Sequence, residues 1–211
     1  MQIIKITDLT KSYDDNLVLD NISININEGE KIGIIGKNGS GKSTLIKIIC
    51  GEIEDYSGKV EISNKNIGYL KQITEYTTED FLMMCTSKEA ISSFLKLNSE
   101  FNIDKSINFT KERLESLSGG EKTLTAISLL FAIMNLKDVP FVILDEVESA
   151  LDEINVEKFG EYIKHYKGKT QLLVITHKKK TMEFLDLLYG ITMQESGVSK
   201  LVSVKLEDIK E

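Results

Sequence analysis

The run Gly36-Lys37-Asn38-Gly39-Ser40-Gly41-Lys42-Ser43-Thr44 constrains the fold more than any other stretch of this 211-residue chain. It satisfies the pattern G-x-x-x-x-G-K-[ST], and its flanks are the ones that pattern needs. Lys31-Ile-Gly-Ile-Ile before it is short, apolar and β-branched, the mark of a buried strand; Leu45-Ile-Lys-Ile-Ile-Cys after it reads as helix. Glycines let the backbone wrap a phosphate chain without Cβ clashes. Successive N–H groups, from Asn38, Gly39, Ser40 and Gly41 through to Thr44, then point at the anion. The positive end of the following helix adds to the attraction. Lys42 is expected to reach the β- and γ-phosphates, and the Ser43 hydroxyl to bind Mg²⁺. A Gly/Ser turn between strand and helix is the plain alternative, but it does not require this spacing. The motif predicts binding of a nucleoside triphosphate.

A net charge of −7 gives no bulk attraction for nucleic acid or an anionic membrane, so direct nucleic-acid binding is not expected. Lys178-Lys179-Lys180 is the one dense basic cluster, and it reads as a solvated turn. Cys50 and Cys85 lack metal-ligand spacing, and Cys50, ending an apolar helical run, reads as a small buried hydrophobe. Met1-Gln-Ile-Ile-Lys-Ile alternates like a strand and differs from a signal peptide. No apolar run reaches membrane-spanning length, so no membrane insertion and a reduced, cytoplasmic setting are expected.

The first seventy residues read as β-rich, with Ile22, Ile24 and Ile26 alternating with polar neighbours. Tyr56-Ser-Gly-Lys predicts a turn, followed by short strands near residues 59–63 and 67–70. Between residues 78 and 117 the apolar residues recur at helix-like intervals, which predicts a small helical lobe. From Ser118 helices and strands alternate. The pattern predicts helices over 121–136, 151–166 (with Ile154, Phe159, Ile163 and Tyr166 inward) and 181–188, and strands over 141–144, 172–175 and 201–204. Pro140 sits at a strand start, where a missing N–H is tolerated. This alternation argues for a mainly parallel α/β core. The chain is expected to be one domain over 1–211, with a nucleotide-binding core and β subdomain over 1–77, the helical lobe over 78–117 and the remaining core over 118–211.

Two further constellations carry chemistry. Phe141-Val-Ile-Leu-Asp145-Glu146 is a buried strand ending in two carboxylates. In α/β sheets ligands sit beyond the C-terminal strand ends, so both acids should emerge at the phosphate site. Asp145 suits the Mg²⁺ shell, and Glu146 suits the polarisation of an attacking water. Ser118-Gly119-Gly120-Glu121 before an apolar run admits two readings. It is a capping box, sufficient to start a helix. It is also a second anion nest at a helix terminus, which would place a triphosphate between two copies of the chain.

Phosphate loop, Leu-Ser-Gly-Gly, four apolar residues with Asp-Glu, and a strand ending in Thr176-His177 follow the order of motifs in ABC-type ATPases, and the chain resembles that family over nearly its whole length. The resemblance implies a P-loop ATPase fold with a mainly parallel core sheet, an N-terminal antiparallel β subdomain and a small helical lobe. It also implies ATP as the nucleotide. On this resemblance Gln72 is similar to the lid glutamine that touches Mg²⁺ and water. Ser149-Ala-Leu-Asp152 is similar to the D-loop, Tyr13 with Val18 to the adenine-stacking site, and His177 to the switch histidine. Residues 1 to about 72 resemble transporter-type and ABC-F-type ATPases. Residues from about 116 to 206 resemble the C-terminal lobe of a chromosome-organising SMC head. That mixture points to a chimera of two families, with an unusual natural hybrid as the alternative.

The expected activity is Mg²⁺-dependent hydrolysis of ATP to ADP and phosphate, with Ser118, Gly119 and Gly120 of one copy on the γ-phosphate held by a second copy. An ATP-gated dimerisation module with little turnover is the alternative. A GTPase would need Asn-Lys-x-Asp, and Asn64-Lys-Asn-Ile lacks the acid.

Overall fold

Alternation of branched apolar residues with polar ones builds the first two strands. β1 (Gln2–Tyr13) buries Ile4, Ile6 and Leu9, and β2 (Asn16–Asn27) buries Leu19, Ile22, Ile24 and Ile26. A period of two puts Ile4 with Ile6, and Ile22 with Ile24 and Ile26, on one face; Leu9 and Leu19 fall out of that period and are buried across register shifts, with Asp8 and Asn21 at positive φ beside them. The strands pair antiparallel about a tight turn at Asp14 and Asp15, with Ile6 opposite Ile24 and Tyr13 opposite Asn16. β4 (Ser57–Ile62) pairs antiparallel with β1 on its other side. The turn expected at Tyr56–Lys59 is therefore mostly strand. Hydrogen bonding to β1 extends the backbone there, and a register shift between the Thr7 and Thr10 pairs absorbs the irregularity.

This computed structural model describes residues 1–63, 67–70, 123, 125, 127, 128, 131, 132, 140–166, 170–195 and 198–205. The remaining strands are β3 (Ile32–Ile35), β5 (Ile67–Leu70), β6 (Phe141–Asp145), β7 (Gln171–Ile175), β8 (Leu187–Glu195) and β9 (Val198–Lys205). All nine strands among the described residues lie in one sheet, in the order β4-β1-β2-β9-β8-β3-β7-β6-β5. From β8 to β5 neighbouring strands run parallel. Their central members are continuous apolar runs because both faces are covered. β9 returns antiparallel on β8, and a parallel contact at Leu19 and Ser199 joins it to β2. The expected parallel core and antiparallel N-terminal portion are both present, as one mixed sheet.

Three helices are described in full. α1 (Lys42–Ile49) buries Leu45, Ile46, Ile48 and Ile49. α2 (Glu153–His165) starts where the Asp152 carboxylate accepts the Asn155 N–H at 2.8 Å. It buries Val156, Phe159, Gly160 and Ile163. Phe159 and Ile163 are inward as expected and Tyr166 is half-buried, but Ile154 is 69% exposed. Phe159 and Ile163 define the inward face, and Ile154 lies off it, in the first turn. α3 (Lys179–Met182) is only one turn long. The helix expected over 181–188 ends early because Leu187, Leu188 and Tyr189 pair with Ile32, Gly33 and Ile34 of β3. An apolar run of that length fits a sheet slot as well as a helix, and the neighbouring strand decides. The final strand likewise extends beyond 201–204.

Thr123, Thr125, Ile127, Ser128, Phe131 and Ala132 are helical and buried, within the helix expected over 121–136. Phe131 packs on Tyr162 of α2 with ring centroids 4.4 Å apart. The lobe expected over 78–117 lies outside the described residues. Among the described residues no helix is long and apolar enough to cross a membrane.

Candidate functional site

Register alone brings three chain segments to one end of the sheet. Ile34 of β3 lies opposite Ile175 of β7, and Ile175 lies opposite Asp145 of β6. The strands end at the same level, so residues 36–44, Asp145 with Glu146, and Thr176 with His177 all emerge from adjacent C-terminal ends. Neighbouring strands are about 4.8 Å apart, which places β3 and β6 on the order of 10 Å from each other across β7.

In the loop, Gly36 has no room for a side chain. A Cβ there would stand 2.5 Å from the Ile191 carbonyl and 2.6 Å from Ser40 Oγ. Gly41 has φ +81°, and a Cβ would meet Leu19 Cδ2 at 2.8 Å and Val18 Cγ1 at 3.2 Å. The loop is thus pressed against β2 and β8. α1 begins at Gly41 with no side-chain cap and has no acidic residue in its first turn, so among the described residues no cap side chain takes up its terminal N–H groups. Lys42 is buried, and its ammonium donates to the carbonyls of Gly36 (2.8 Å) and Lys37 (3.1 Å). Ser40 is buried, and its Oγ has no hydrogen-bond partner among the described residues. Asn38, Gly39 and Ser43 are exposed and Thr44 half-buried. An uncapped helix end, a lysine held by weak carbonyl acceptors and a backbone without Cβ obstruction fit a polyphosphate.

Asp145 accepts a hydrogen bond from the Tyr69 hydroxyl at 2.8 Å. Burial and this contact push the phenol above its ordinary range, so Tyr69 stays a donor. Glu146 adopts φ +47°, a left-handed conformation uncommon for a non-glycine residue, and its N–H bonds the Ile175 carbonyl. That kink turns the side chain toward β7, where its Oε2 lies 3.5 Å from His177 Nδ1. The glutamate is largely buried and the histidine more than half exposed. Tyr13 is exposed at the tip of the β1–β2 hairpin, with the Lys11 ammonium 4.8 Å from its ring centroid. Lys11 is itself buried and paired with Asp55 at 2.9 Å. Val18 reaches Gly41 from β2, so the hairpin borders the loop. Gln72, Ser118, Gly119, Gly120 and Glu121 lie outside the described residues, as does Cys85. Cys50 is half-buried, and burial with nearby Glu52 pushes its thiol up to about 11, in line with an unreactive side chain.

Sequence reasoning gave no role to Tyr69 or Glu148, and named Thr176 only as the residue before His177. Glu148, three residues after Asp145, is 1% exposed, and its carboxylate accepts a hydrogen bond from the fully buried Thr176. A third acid close behind Asp145-Glu146 was the available signal; for Tyr69 there was none, since its partner is on a strand distant in sequence.

A sheet of this order, with a phosphate-type loop, a carboxylate pair and a histidine at the C-terminal ends of adjacent strands, is the fold of an ATP-binding cassette. Solved structures agree on the fold. One is the dimeric post-hydrolysis state of an ATP-binding cassette bound to ADP and Pi (TM-score 0.67, 24% identity, covering 97% of this chain and 99% of that one). Another is an SmcHead bound to the C-winged helix domain of ScpA (TM-score 0.68, 20% identity, 98% of each chain). Residues 52–200 match the RecF/RecN/SMC N terminal domain, and the chain belongs to that family. The chromosome partition protein Smc of Bacillus subtilis is 62% identical over 100 residues, 47% of this chain. That of Halothermothrix orenii is 34% identical over 233 residues, 93% of this chain. The chain spans 8% and 19% of the lengths of these two relatives. A single relative aligning across 93% of the chain lends no support to a chimera.

Proposed function

We propose that the chain is an ATPase head that binds ATP with Mg²⁺, hydrolyses it to ADP and phosphate, and pairs head-to-tail with a second copy when ATP is bound. The observation that carries this is the convergence of three strand ends at one level, with Glu146 and His177 3.5 Å apart beside the phosphate-type loop. Each group is suited to one task. Lys42 would exchange two carbonyl acceptors for anionic phosphate oxygens, a stronger charge-assisted bond. Glu146, held by its kinked backbone, accepts a proton from water, and His177 beside it keeps the carboxylate oriented. Ser43, Asp145 and Gln72 are the residues that would hold Mg²⁺, which supplies charge neutralisation at the phosphates when bound. Tyr13 and Val18 would flank the base, Tyr13 with one face already against Lys11. Ser118, Gly119, Gly120 and Glu121 would complete the site of the second copy.

The curated relatives are chromosome partition proteins, and we place the chain as the ATPase portion of such a protein, working as one domain in the cytoplasm. The test is isothermal titration with ATP and Mg²⁺, paired with steady-state phosphate release. Lys42→Ala should lower ATP affinity by at least about 100-fold, the loss expected on deleting a charged hydrogen-bond donor to a phosphate. Unchanged affinity would overturn the loop assignment. Tight binding and dimerisation without phosphate release would leave an ATP-gated dimerisation module instead.

A further inference from the structure

Two loops at the site are tied together by groups that take no part in the proposed chemistry. After β6 the chain makes two successive turns, with the Ser149 N–H on the Glu146 carbonyl and the Leu151 N–H on the Glu148 carbonyl, both at 3.0 Å. This coiling drives Val147 and Glu148 inward, each 1% exposed, while Ser149 and Ala150 face solvent. After β7 the chain passes through Thr176, whose N–H bonds the Ile34 carbonyl. The Thr176 hydroxyl donates to Glu148 Oε1 and accepts the Lys178 N–H at 3.0 Å. The Lys178 ammonium then reaches back to the Leu151 carbonyl at 2.7 Å. The segment 146–152 is therefore fastened to 176–178 at Glu148 and at Leu151, with Glu146 and His177 facing each other at one end and Asp152 capping α2 at the other.

A buried carboxylate is an expensive way to fill space. Removing a carboxyl from water is costly unless hydrogen bonds replace the water. Glu148 Oε2 has no hydrogen-bond partner among the described residues. Burial pushes the carboxyl above its ordinary range, against hydrogen bonding from Thr176, from its own backbone and from the buried Thr181, and against the Lys178 charge. An aliphatic side chain would pack there at less cost, so an acid at this point is better explained by what it holds than by stability.

We propose that Glu148 is a positioning residue: by holding Thr176 it makes the segment carrying Glu146 and the segment carrying His177 a single mechanical unit. The inference rests on the ATPase reading for its kinetic consequence, while the coupling itself is a property of the nucleotide-free chain. Glu148 touches no reacting atom; it acts through Thr176, one residue before His177. Loss of the tie leaves Glu146 and His177 in place but free to drift relative to each other. Small misplacements of catalytic groups cost up to about 100-fold in rate.

Two measurements on the whole chain test this. The first is amide hydrogen exchange without nucleotide. Thr176→Val should speed exchange in 146–152 by about tenfold, and Glu148→Ala should do the same in 176–178, since each substitution lies in the opposite segment. Lys178→Ala, at a half-buried position, gives a milder version of the same change if Thr176→Val does not fold. Exchange unchanged in the opposite segment would overturn the coupling. The second is ATP turnover. Thr176→Val and Glu148→Ala should lower kcat by about 10- to 100-fold with KM within about twofold, and Thr176→Ser and Glu148→Gln should restore it because each keeps its half of the hydrogen bond. Equal losses in the rescuing and the truncating variants would overturn the positioning role. A parent chain that binds ATP but releases no phosphate would instead defeat the hydrolase reading, with the exchange result still deciding the coupling.

Discussion

Glu146 and Glu148 show how two residues apart on the chain give one type of side chain two different environments. Glu146 sits at the end of β6, partly open, facing His177; Glu148 is sealed beneath the following turn. Glu146→Gln keeps the size and loses the anionic acceptor, so ATP affinity should hold within about twofold while phosphate release falls by about 100- to 10,000-fold. Turnover at the parent rate would remove Glu146 from the role of base. Glu148→Gln should act on stability, with a sign set by the raised carboxyl. A folded-state value above the unfolded one means the native chain binds more protons. That contribution is complete below the ordinary carboxylate range and is lost as pH rises through the folded value. The amide cannot ionise, so the variant's gain in Tm over the parent should grow as pH rises. Melts at about pH 5 and about pH 8 check this, and an equal difference at both would contradict it.

At the scale of elements, the strands and long helices were legible where pattern and burial agree. β5 has the expected bounds, Ile67–Leu70, and β6 and β7 extend theirs by one residue. Where an apolar run fitted both periods, the reading failed, as at Leu187 and Leu188, read as the end of a helix and found in β8. Ile154 failed for a different reason: in the first turn of α2 a single branched residue carries no information about which face turns inward. Asp152, placed in the D-loop by resemblance, has an observable structural task as the cap of α2. Asp152→Ala should therefore cost about 1 kcal/mol of stability through the lost cap, read as a shift in denaturation midpoint at unchanged slope. A neutral effect would show that the helix start is held by its packing alone.

For the molecule as a whole, the sheet presents the loop, the carboxylates and the histidine at one end of its parallel strands, and in the proposed pairing a second copy would complete the site through Ser118–Gly120. Glu146→Gln with ATP and Mg²⁺ should accumulate as a dimer by light scattering, because slow hydrolysis preserves the bound state. Ser118→Arg should keep the same variant monomeric by adding bulk at the contact. A monomer with ATP demonstrably bound would rule out the paired arrangement. A dimer unaffected by Ser118→Arg would move the interface elsewhere.

The sequence by itself determined the strand–loop–helix around Gly36–Thr44, the buried strands that follow, and the acids that end β6. All of these are local: spacing, glycine placement and apolar periodicity act over a few residues, so they can be read without knowing the neighbours. The tertiary structure decided the rest. The order β3-β7-β6 puts His177 beside Glu146, and the slot next to β3 makes strand of residues 187–191. The pairing of Glu148 with Thr176 and of Tyr69 with Asp145 joins positions 28 and 76 residues apart. Such contacts depend on which strands become neighbours, and that is settled by the burial of whole faces, which no local pattern encodes.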